Sequence, residues 1–491
     1  MNAKNAMPQT IQEMTNYTLT ENCAKTHAST LSDCLDLFAT IGALRHQSEE
    51  EISLRFMRAH AEDATLAMKT LFFARDIRGG LGERRTFRVL LKWLAQECPA
   101  SLRKNLALVP EYGRFDDWLA LLDTPLEGEM LALLKTRFDQ DITACEQSEA
   151  PSLLGKWLPS ANASNQQTKQ HAKRVAKALG VSEKAYRQAL SMLRSRIRII
   201  ENNLRTQDYS FDYEKQPSRA MLKYRQAFNR NDGERYQAFM EKVKKGEAKL
   251  NTSALTPYDL VLPILRNNVA EKDRESLQVS WQSLEDFTSG ENALCVVDGS
   301  GSMYAYDNPI PAAVALSLGI YYAQRNQGAF HNQFITFSEN PRLVTIKGQD
   351  VYEQVRYCER YNEVANTNIQ RVFELVLDAA LRHKASPKEM PKTLYIISDM
   401  EFDCCAADAD VTNFQYAKAL FESHGYPLPQ VVFWNVASRN THQPVLMNEQ
   451  GVALVSGFTP RLFQMLAKGD LNPMRFMLET LNAPRYAAIA A

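Results

Sequence analysis

The residues with the clearest chemical potential form an Asp-x-Ser-x-Ser motif made of Asp298, Ser300 and Ser302. The motif follows the apolar run 294–297, whose length suits a short buried strand. In open α/β sheets, ligands bind beyond the carboxyl ends of the strands. One carboxylate and two hydroxyls around a single point offer hard oxygen ligands, which suit Mg²⁺. The motif therefore predicts a cation site at a strand end.

Two further polar residues stand where such a site would need them. Thr367 comes just before a predicted helix, and Asp399 ends a second apolar run of strand length. The competing interpretation treats the motif as a turn and Thr367 as an ordinary helix cap. Glu401 and Asp403 crowd the same strand end, and a solvated loop explains them more simply than an outer layer of ligands or a second cation site. The three separated elements together favour the cation site.

The elements around these residues indicate an α/β domain over residues 286–491, with a helical tail at its end. Helical and strand-like stretches alternate there, with strands expected near 294–298, 333–337, 393–398, 430–435 and 452–456. Apolar runs separated by helices imply a mainly parallel sheet covered on both faces. We expect a Rossmann-like fold, joined to the preceding part by a linker near 286–292.

Residues 26–285 have helical periodicity. In the segment 87–94 the apolar positions recur at i, i+3, i+4 and i+7, and Gly79 and Gly80 break the chain before it. Successive helical hairpins without an exact repeat suggest a HEAT-like array. Residues 1–25 are polar, and we expect them to form a flexible arm.

The balanced total charge, 57 basic against 57 acidic residues, conceals a basic band. Residues 151–250 hold 21 Lys and Arg against 9 Asp and Glu. Such side chains could contact phosphates, and nearby aromatics such as Tyr186 could stack on unpaired bases. The alternative is that they are ordinary solvated faces of amphipathic helices. The candidate RNA contacts are Arg75, Arg78, Arg84, Arg85, Arg88, Lys92, Lys169, Lys173, Lys177, Arg187, Arg194 and Arg198.

Several classes of protein are disfavoured by what the sequence lacks. None of the eight cysteines stands in a C-x-x-C pair, and the vicinal Cys404 and Cys405 suit neither a disulfide nor zinc. No apolar stretch reaches the length of a membrane span, and the first residues lack the apolar core of a signal peptide. There is no nucleotide-binding loop, H-E-x-x-H motif or nucleophile elbow. We expect a cytoplasmic, monomeric, non-enzymatic protein without a membrane partner.

The region 290–470 resembles the metal-ion-dependent adhesion site (MIDAS) of von Willebrand factor A domains. The resemblance implies that Ser300, Ser302 and Thr367 bind Mg²⁺ through their hydroxyls, with Mn²⁺ or Ca²⁺ as substitutes. It also implies that Asp298 and Asp399 act directly or through water. The last coordination position would await an acidic group, Asp or Glu, from a protein partner.

The whole chain resembles the Ro family, in which a helical TROVE module precedes an A domain. Residues 74–84 and 108–118 are similar to the helix–turn–helix signatures of that HEAT-like ring. The closer similarity is to an uncharacterised branch from bacteria, phages and eukaryotes. Its hallmarks here are Lys156–Pro159, Tyr186 with Arg187, Pro217 with Ser218, and Phe334–Pro341. The resemblance implies a TROVE-like module that binds non-coding RNA, and leaves open whether its helices close into a ring.

Three functions are compatible with these patterns. The leading hypothesis is a scaffold for structured or misfolded non-coding RNA, with a Mg²⁺-dependent site for an acidic partner. The alternative is a protein–protein adaptor that uses the same site without binding RNA. A metal-dependent hydrolase is disfavoured, because a MIDAS fills the metal's coordination with hydroxyls and waters rather than supplying a general base.

Overall fold

The computed structural model describes residues 6–304, 310–362, 368–404, 411–467, 469 and 471–491. The chain divides into two compact units. Met1–Thr70 and Leu255–Ala487 form the first, which we call the sheet unit. Leu71–Ala254 and Ala488–Ala491 form the second, the helical unit.

Helices account for most of the regular structure. In chain order the α-helices are α1 (Ala6–Thr15), α2 (Asp33–Thr40), α3 (Glu49–Glu62), α4 (Ala64–Arg75), α5 (Arg85–Glu97), α6 (Pro99–Asn105), α7 (Val109–Tyr112), α8 (Glu127–Glu146), α9 (Leu154–Trp157), α10 (Gln166–Ala178), α11 (Glu183–Ile197), α12 (Ile200–Thr206), α13 (Ser218–Asn231), α14 (Gly233–Lys244), α15 (Pro257–Leu265), α16 (Arg274–Gln282), α17 (Ile310–Arg325), α18 (Val351–Glu359), α19 (Ile369–His383), α20 (Asn413–Ser423), α21 (Arg461–Leu466) and α22 (Pro473–Leu481). Short 3₁₀ turns cover Ile41–Ala43, Leu106–Leu108, Phe115–Leu121, Tyr213–Lys215, Glu271–Asp273, Gly301–Tyr304 and Pro484–Tyr486. Among the residues that the structure describes, no helix is both long and apolar enough to span a membrane.

The strands form one small and one large sheet. They are β1 (Tyr17–Leu19), β2 (Lys25–His27), β3 (Ala293–Asp298), β4 (Gln333–Phe337), β5 (Leu343–Thr345), β6 (Thr393–Ser398), β7 (Gln430–Asn435) and β8 (Val452–Ser456). The large sheet has the order β5-β4-β3-β6-β7-β8, and only the β4–β5 pair is antiparallel. The predicted α/β fold and its five strands are confirmed, and the compact unit that holds them also contains residues 255–285. The short edge strand β5 was not predicted.

The centre of the sheet is buried on both faces, which explains why its strands read as continuous apolar runs. Every residue of β3 and β6 is buried. Helix α17 covers β3 so closely that a Cβ at Gly319 would lie 2.3 Å from Cγ2 of Val297. On the other face, α19 and α20 contribute Phe373 and Phe414 to one apolar cluster with Ile396. The sheet is therefore a rigid base for the loops at its carboxyl edge.

The described residues 6–70 belong to the sheet unit, whereas the sequence predicted a flexible arm over 1–25 and a helical module from residue 26 onward. The strands β1 and β2 form an antiparallel hairpin, and His27 exchanges backbone hydrogen bonds with Gln443. Gly42, just after α2, donates its backbone N–H to Ser456 Oγ at the end of β8. Polar groups near the β1–β2 hairpin form hydrogen bonds within the fold. A polar composition alone does not show whether such groups bind the protein or water.

The helical unit contains the basic band. The predicted apolar stripe 87–94 lies in α5, whose Phe87, Leu90 and Leu94 are buried. Helices α10 and α11 begin at the side-chain caps Asn165 and Ser182, each of which accepts a backbone N–H from the first turn. The helix-rich character expected for this part of the chain is confirmed.

Candidate functional site

The Asp-x-Ser-x-Ser motif lies at the point of the large sheet where the order of the strands reverses. Asp298 ends β3, and Ser398 ends the neighbouring strand β6, with Asp399 directly after it. From β3 the chain continues to β4 on one side, whereas β6 leads to β7 and β8 on the other. Such a switch point opens a crevice at the carboxyl ends of two adjacent strands, where α/β proteins place their ligands.

Asp298 is 1% exposed and is fixed by two donors. Its Oδ1 accepts the backbone N–H of Ser300 at 2.9 Å, a local turn typical of aspartate. Its Oδ2 accepts the Ser398 hydroxyl at 2.6 Å. Sequence reasoning missed Ser398. The parallel pairing of Val297 with Ile397 places Ser398 beside Asp298, and this register is seen only in the structure.

The predicted hydroxyls reach the same point. Ser300 Oγ and Ser302 Oγ lie 3.0 Å apart, and the Ser302 hydroxyl bonds to the Asp399 carboxylate. The structure thus brings together four of the five predicted metal ligands, which we call the strand-end cluster: Asp298, Ser300, Ser302 and Asp399. Thr367 lies outside the described residues.

The loops of this edge are tightly built. A Cβ at Gly299 would lie 2.6 Å from Oδ1 of Asn362, and the Asn362 amide in turn donates to the Tyr304 hydroxyl. Met400 has a φ of 71°, a left-handed conformation that is rare for a residue with a long side chain. Such backbone strain persists only where surrounding contacts enforce it, often at functional sites. Asn362 and Met400 were not singled out from the sequence.

Two buried carboxylates face one another across the cluster. Burial, reinforced by the charge of Asp399, raises the pKa of Asp298 to about 7. Burial also raises the pKa of Asp399, although Arg439 opposes the shift. Both shifts express the cost of placing negative charge in a desolvated site, which a divalent cation would relieve.

The donor set suits a hard cation. Within the described part of the chain, no three His, Cys, Asp or Glu side chains converge with metal-binding geometry. A cation at this edge would therefore depend on serine hydroxyls beside the two carboxylates. Oxygen donors of this kind fit Mg²⁺ and provide none of the sulfur or imidazole ligands that zinc prefers.

Glu401 is part of the folded rim, which corrects the prediction of a solvated loop. It is 2% exposed, and its Oε1 accepts a hydrogen bond from Asn440 Nδ2 at 2.8 Å. His442 Nε2 lies 3.0 Å from the same oxygen. Asp403 pairs with Cys23 through an isolated backbone bridge. The acidic residues after β6 therefore anchor neighbouring segments.

Three of the predicted RNA contacts pair with acidic residues of the helical unit, and one of the three, Arg75, is buried in its interior. Arg75 is 2% exposed, and its guanidinium lies 2.8 Å from the fully buried Asp117. Arg88 bridges Asp117 and Asp116, and Arg84 also pairs with Asp116. The sequence places these arginines on one side of their helices but does not show that acidic partners arrive from residues 116–117. Arg75 cannot contact RNA in this fold.

Two further predictions in the basic band are corrected, because the side chains concerned form hydrogen bonds within the helical unit. Arg194 donates to the carbonyls of Gly155 and Leu158 and to the Ser160 hydroxyl, so it fastens α11 to the preceding loop. Tyr186 is buried and donates its hydroxyl to Pro159, so its ring is not available for base stacking. Both residues hold the unit together.

The remaining candidates reach solvent to different degrees. Lys169 is half-buried. The exposed ones are Arg78, Arg85, Lys92, Lys173, Lys177, Arg187 and Arg198. Of these, Lys173 has an acidic neighbour, Glu183, at 3.5 Å. The basic band therefore remains accessible to solvent through its exposed members on α10, on α11 and just after α11.

Comparisons with known proteins give matches along most of the chain. Residues 20–150 and 152–287 match the family described as domain of unknown function DUF2828, and residues 292–476 match domain of unknown function DUF7788. Uncharacterized protein L728 of Acanthamoeba polyphaga mimivirus is 29% identical over 517 residues, covering 95% of this chain and 88% of that protein. The crystal structure of the Deinococcus radiodurans Ro (RSR) protein is similar with a TM-score of 0.49 and 15% identity, covering 90% of this chain and 100% of that chain.

Proposed function

We propose that this chain, which belongs to the DUF2828 family, is a non-enzymatic binding protein whose sheet unit is a von Willebrand factor A domain. The observation that carries the proposal is the strand-end cluster at the switch point between β3 and β6. Its two carboxylates and two hydroxyls converge on one point, as the ligands of a metal-ion-dependent adhesion site must. The order of the sheet, with an antiparallel edge strand beside β4, also supports such a domain.

Mg²⁺ is the cofactor that we propose for this site. Ser300 and Ser302 would hold it through their hydroxyls, with Asp298 and Asp399 acting directly or through water. Thr367 remains the proposed third hydroxyl. When bound, the ion supplies positive charge and an open coordination position, to which the Asp or Glu side chain of a protein partner would bind. Mn²⁺ and Ca²⁺ would be substitutes, because they accept the same oxygen donors.

Calorimetric titration with MgCl₂, combined with elemental analysis, tests the metal. We expect Asp298→Ala to lose Mg²⁺ while keeping its circular dichroism spectrum, because the residue lies at a loop edge of an intact sheet. Asp378→Ala is the matched control, since Asp378 is an exposed aspartate on α19 of the same unit. Equal Mg²⁺ in all three proteins, or stoichiometric zinc in the wild type, would refute the assignment.

RNA binding by the helical unit is the second candidate function. The observation that favours it is the exposure of four basic side chains: Lys173 and Lys177 on α10, Arg187 on α11, and Arg198 just after α11. These side chains lie in a region with 21 basic and 9 acidic residues. Phosphate contacts by exposed lysines and arginines supply most of the sequence-independent affinity for nucleic acids. The RNA class that we propose is structured or misfolded non-coding RNA with a single-stranded end.

A filter-binding titration at two salt concentrations tests the second function. Changing the four exposed residues to Gln should weaken binding of a hairpin RNA with a single-stranded tail. The slope of log affinity against log salt should fall by about 0.7–0.9 for each phosphate interaction that the substitutions remove. The control changes three exposed basic residues of the sheet unit, Lys347, Arg382 and Lys388, to Gln.

The two functions predict opposite results for the same proteins. If the helical unit binds RNA, Asp298→Ala should leave RNA affinity unchanged. If the chain is an adaptor alone, Asp298→Ala should abolish capture of an acidic partner and the four-residue change should have no effect. Wild-type protein that shows no salt-dependent RNA binding up to about 10 μM would exclude the RNA function, since that concentration lies within the usual range of non-specific binding.

A further inference from the structure

The loop after β7 contains a second group of carboxylate-binding side chains, and the chain's own Glu21 occupies them. Arg439 Nη1 lies 2.7 Å from Glu21 Oε2. Asn440 Nδ2 donates to Glu21 Oε1 at 3.1 Å. A guanidinium and an amide that grip both oxygens would recognise the same group on another molecule. Glu21 is 45% exposed, so solvent and solutes reach this contact.

The same guanidinium joins this contact to the strand-end cluster. Arg439 Nη2 lies 3.1 Å from Asp399 Oδ2, and the arginine side chain is only 20% exposed. Arg439 is thus held between a candidate metal ligand and an exposed glutamate. An acidic segment bound at Arg439 would lie beside the metal site and could engage both.

A few hydrogen bonds keep Glu21 in position. The Glu21 N–H donates to Glu401 Oε2 at 2.8 Å. Asn22 Nδ2 donates to the Glu401 carbonyl at 2.8 Å, and the Thr20 hydroxyl donates to the Phe402 carbonyl at 2.6 Å. These contacts attach the turn between β1 and β2 to the loop that carries Asp399. The backbone bridge between Cys23 and Asp403 adds to these contacts, and none of them involves a strand of the large sheet, so loosening the turn should leave that sheet intact.

We propose that Arg439 and Asn440 recognise an acidic side chain of a protein partner, and that Glu21 is an internal competitor for the same position. This inference rests on the proposed adhesion function and adds a second point of recognition to it. A partly exposed ion pair disfavours a competing ligand by only about two- to fivefold. An acidic partner that also binds the metal would therefore displace Glu21 readily.

Fluorescence anisotropy with a labelled, N-acetylated hexaglutamate peptide tests the competition, in Mg²⁺ and in EDTA. Glu21→Gln should bind the peptide about two- to fivefold more tightly than the wild type under both conditions. Asn22→Ala should also tighten binding, because it loosens the turn without changing charge. Arg439→Gln should lose the affinity, and Arg439→Lys should keep part of it. Glu479→Gln removes an exposed glutamate from an ion pair of the same unit and should behave as the wild type.

The outcomes separate this inference from the metal proposal. Asp298→Ala should remove the gain in affinity caused by Mg²⁺ and retain the effect of Glu21→Gln. A Glu21 effect without any Mg²⁺ gain would reject the metal and keep the internal competitor. Equal affinities for Glu21→Gln and Glu479→Gln, an unchanged Asn22→Ala protein, or no peptide binding by any variant would overturn the inference.

Discussion

Asp117 is buried in the helical unit, where it pairs with two arginines, and its replacement should destabilise that unit strongly. Its Oδ2 accepts from Arg75 Nε at 2.8 Å and from the Arg114 N–H at 2.9 Å, while Oδ1 accepts from Arg88 Nε at 2.6 Å. Asp117→Ala would leave Arg75 buried without its counter-charge. Breaking a buried ion pair from one side costs about 3–5 kcal/mol. We expect the free energy of unfolding of the helical unit to fall by that amount.

Amide hydrogen exchange read by mass spectrometry is the suitable assay, because it reports the two units separately. Peptides from α5 and from Phe115–Leu121 should lose protection in Asp117→Ala, while peptides from the large sheet should not. The control is Asp139→Ala, which breaks an exposed pair with Lys135 and should change stability by less than about 1 kcal/mol.

A second variant examines the reason for the destabilisation. Combining Asp117→Ala with Arg75→Met should recover part of the stability, since one uncompensated buried charge is removed. A decrease below about 1 kcal/mol in Asp117→Ala would refute the reasoning, because it would mean that water reaches and satisfies the arginines. Arg75 and Arg88 would then return as candidates for RNA contact.

Two further predictions concern the sheet unit. Burial raises the pKa of Asp36 from 3.8 to about 6, so the folded state favours the protonated carboxyl, and the stability from Asp36 should be lost as the pH rises from about 4 through 6. Thermal unfolding from pH 4 to 8 should show this loss in the wild type and not in Asp36→Asn, and identical pH profiles would contradict it. Gly319→Ala should lower the free energy of unfolding by about 1–3 kcal/mol, because its Cβ would overlap Val297 in the packed layer between α17 and β3. Urea unfolding measures the change, and Gly233→Ala provides the control, because a Cβ added at this helical glycine would meet no atom within 4 Å. Equal stability of both variants would show that α17 shifts to accommodate the methyl group.

The sequence was sufficient to predict the site residues that directly follow a buried strand. Asp298, Ser300 and Ser302 follow an apolar run, and Asp399 ends another, so the periodicity of buried strands was sufficient to place them at one edge. Ser398 was missed because its role depends on the register between β3 and β6. Arg439 and Glu21 were missed because their pairing joins segments from opposite ends of the chain.

The predictions that failed concern partners of charged side chains. Helical spacing shows which residues share a face, but not which other segment covers that face. Arg75 and Arg194 have the spacing of solvent-facing arginines, yet Asp117 and the carbonyls near Gly155 enclose them. The polar segment at 16–27 presents the reverse case, since its hydrogen-bonding groups meet the sheet unit rather than water.

The division of the chain into units also constrains how the protein is made. Gly42 and Ser456, which share a hydrogen bond, are 414 residues apart in the chain. At a synthesis rate of roughly 5–20 residues per second, the ribosome needs about 20–80 s to deliver the second after the first. The helical unit, whose main segment is Leu71–Ala254, has time to fold during that interval. The segment that contains Leu35 and Phe38 must meanwhile keep these apolar side chains unassembled, so nascent chains should need chaperone protection over this segment.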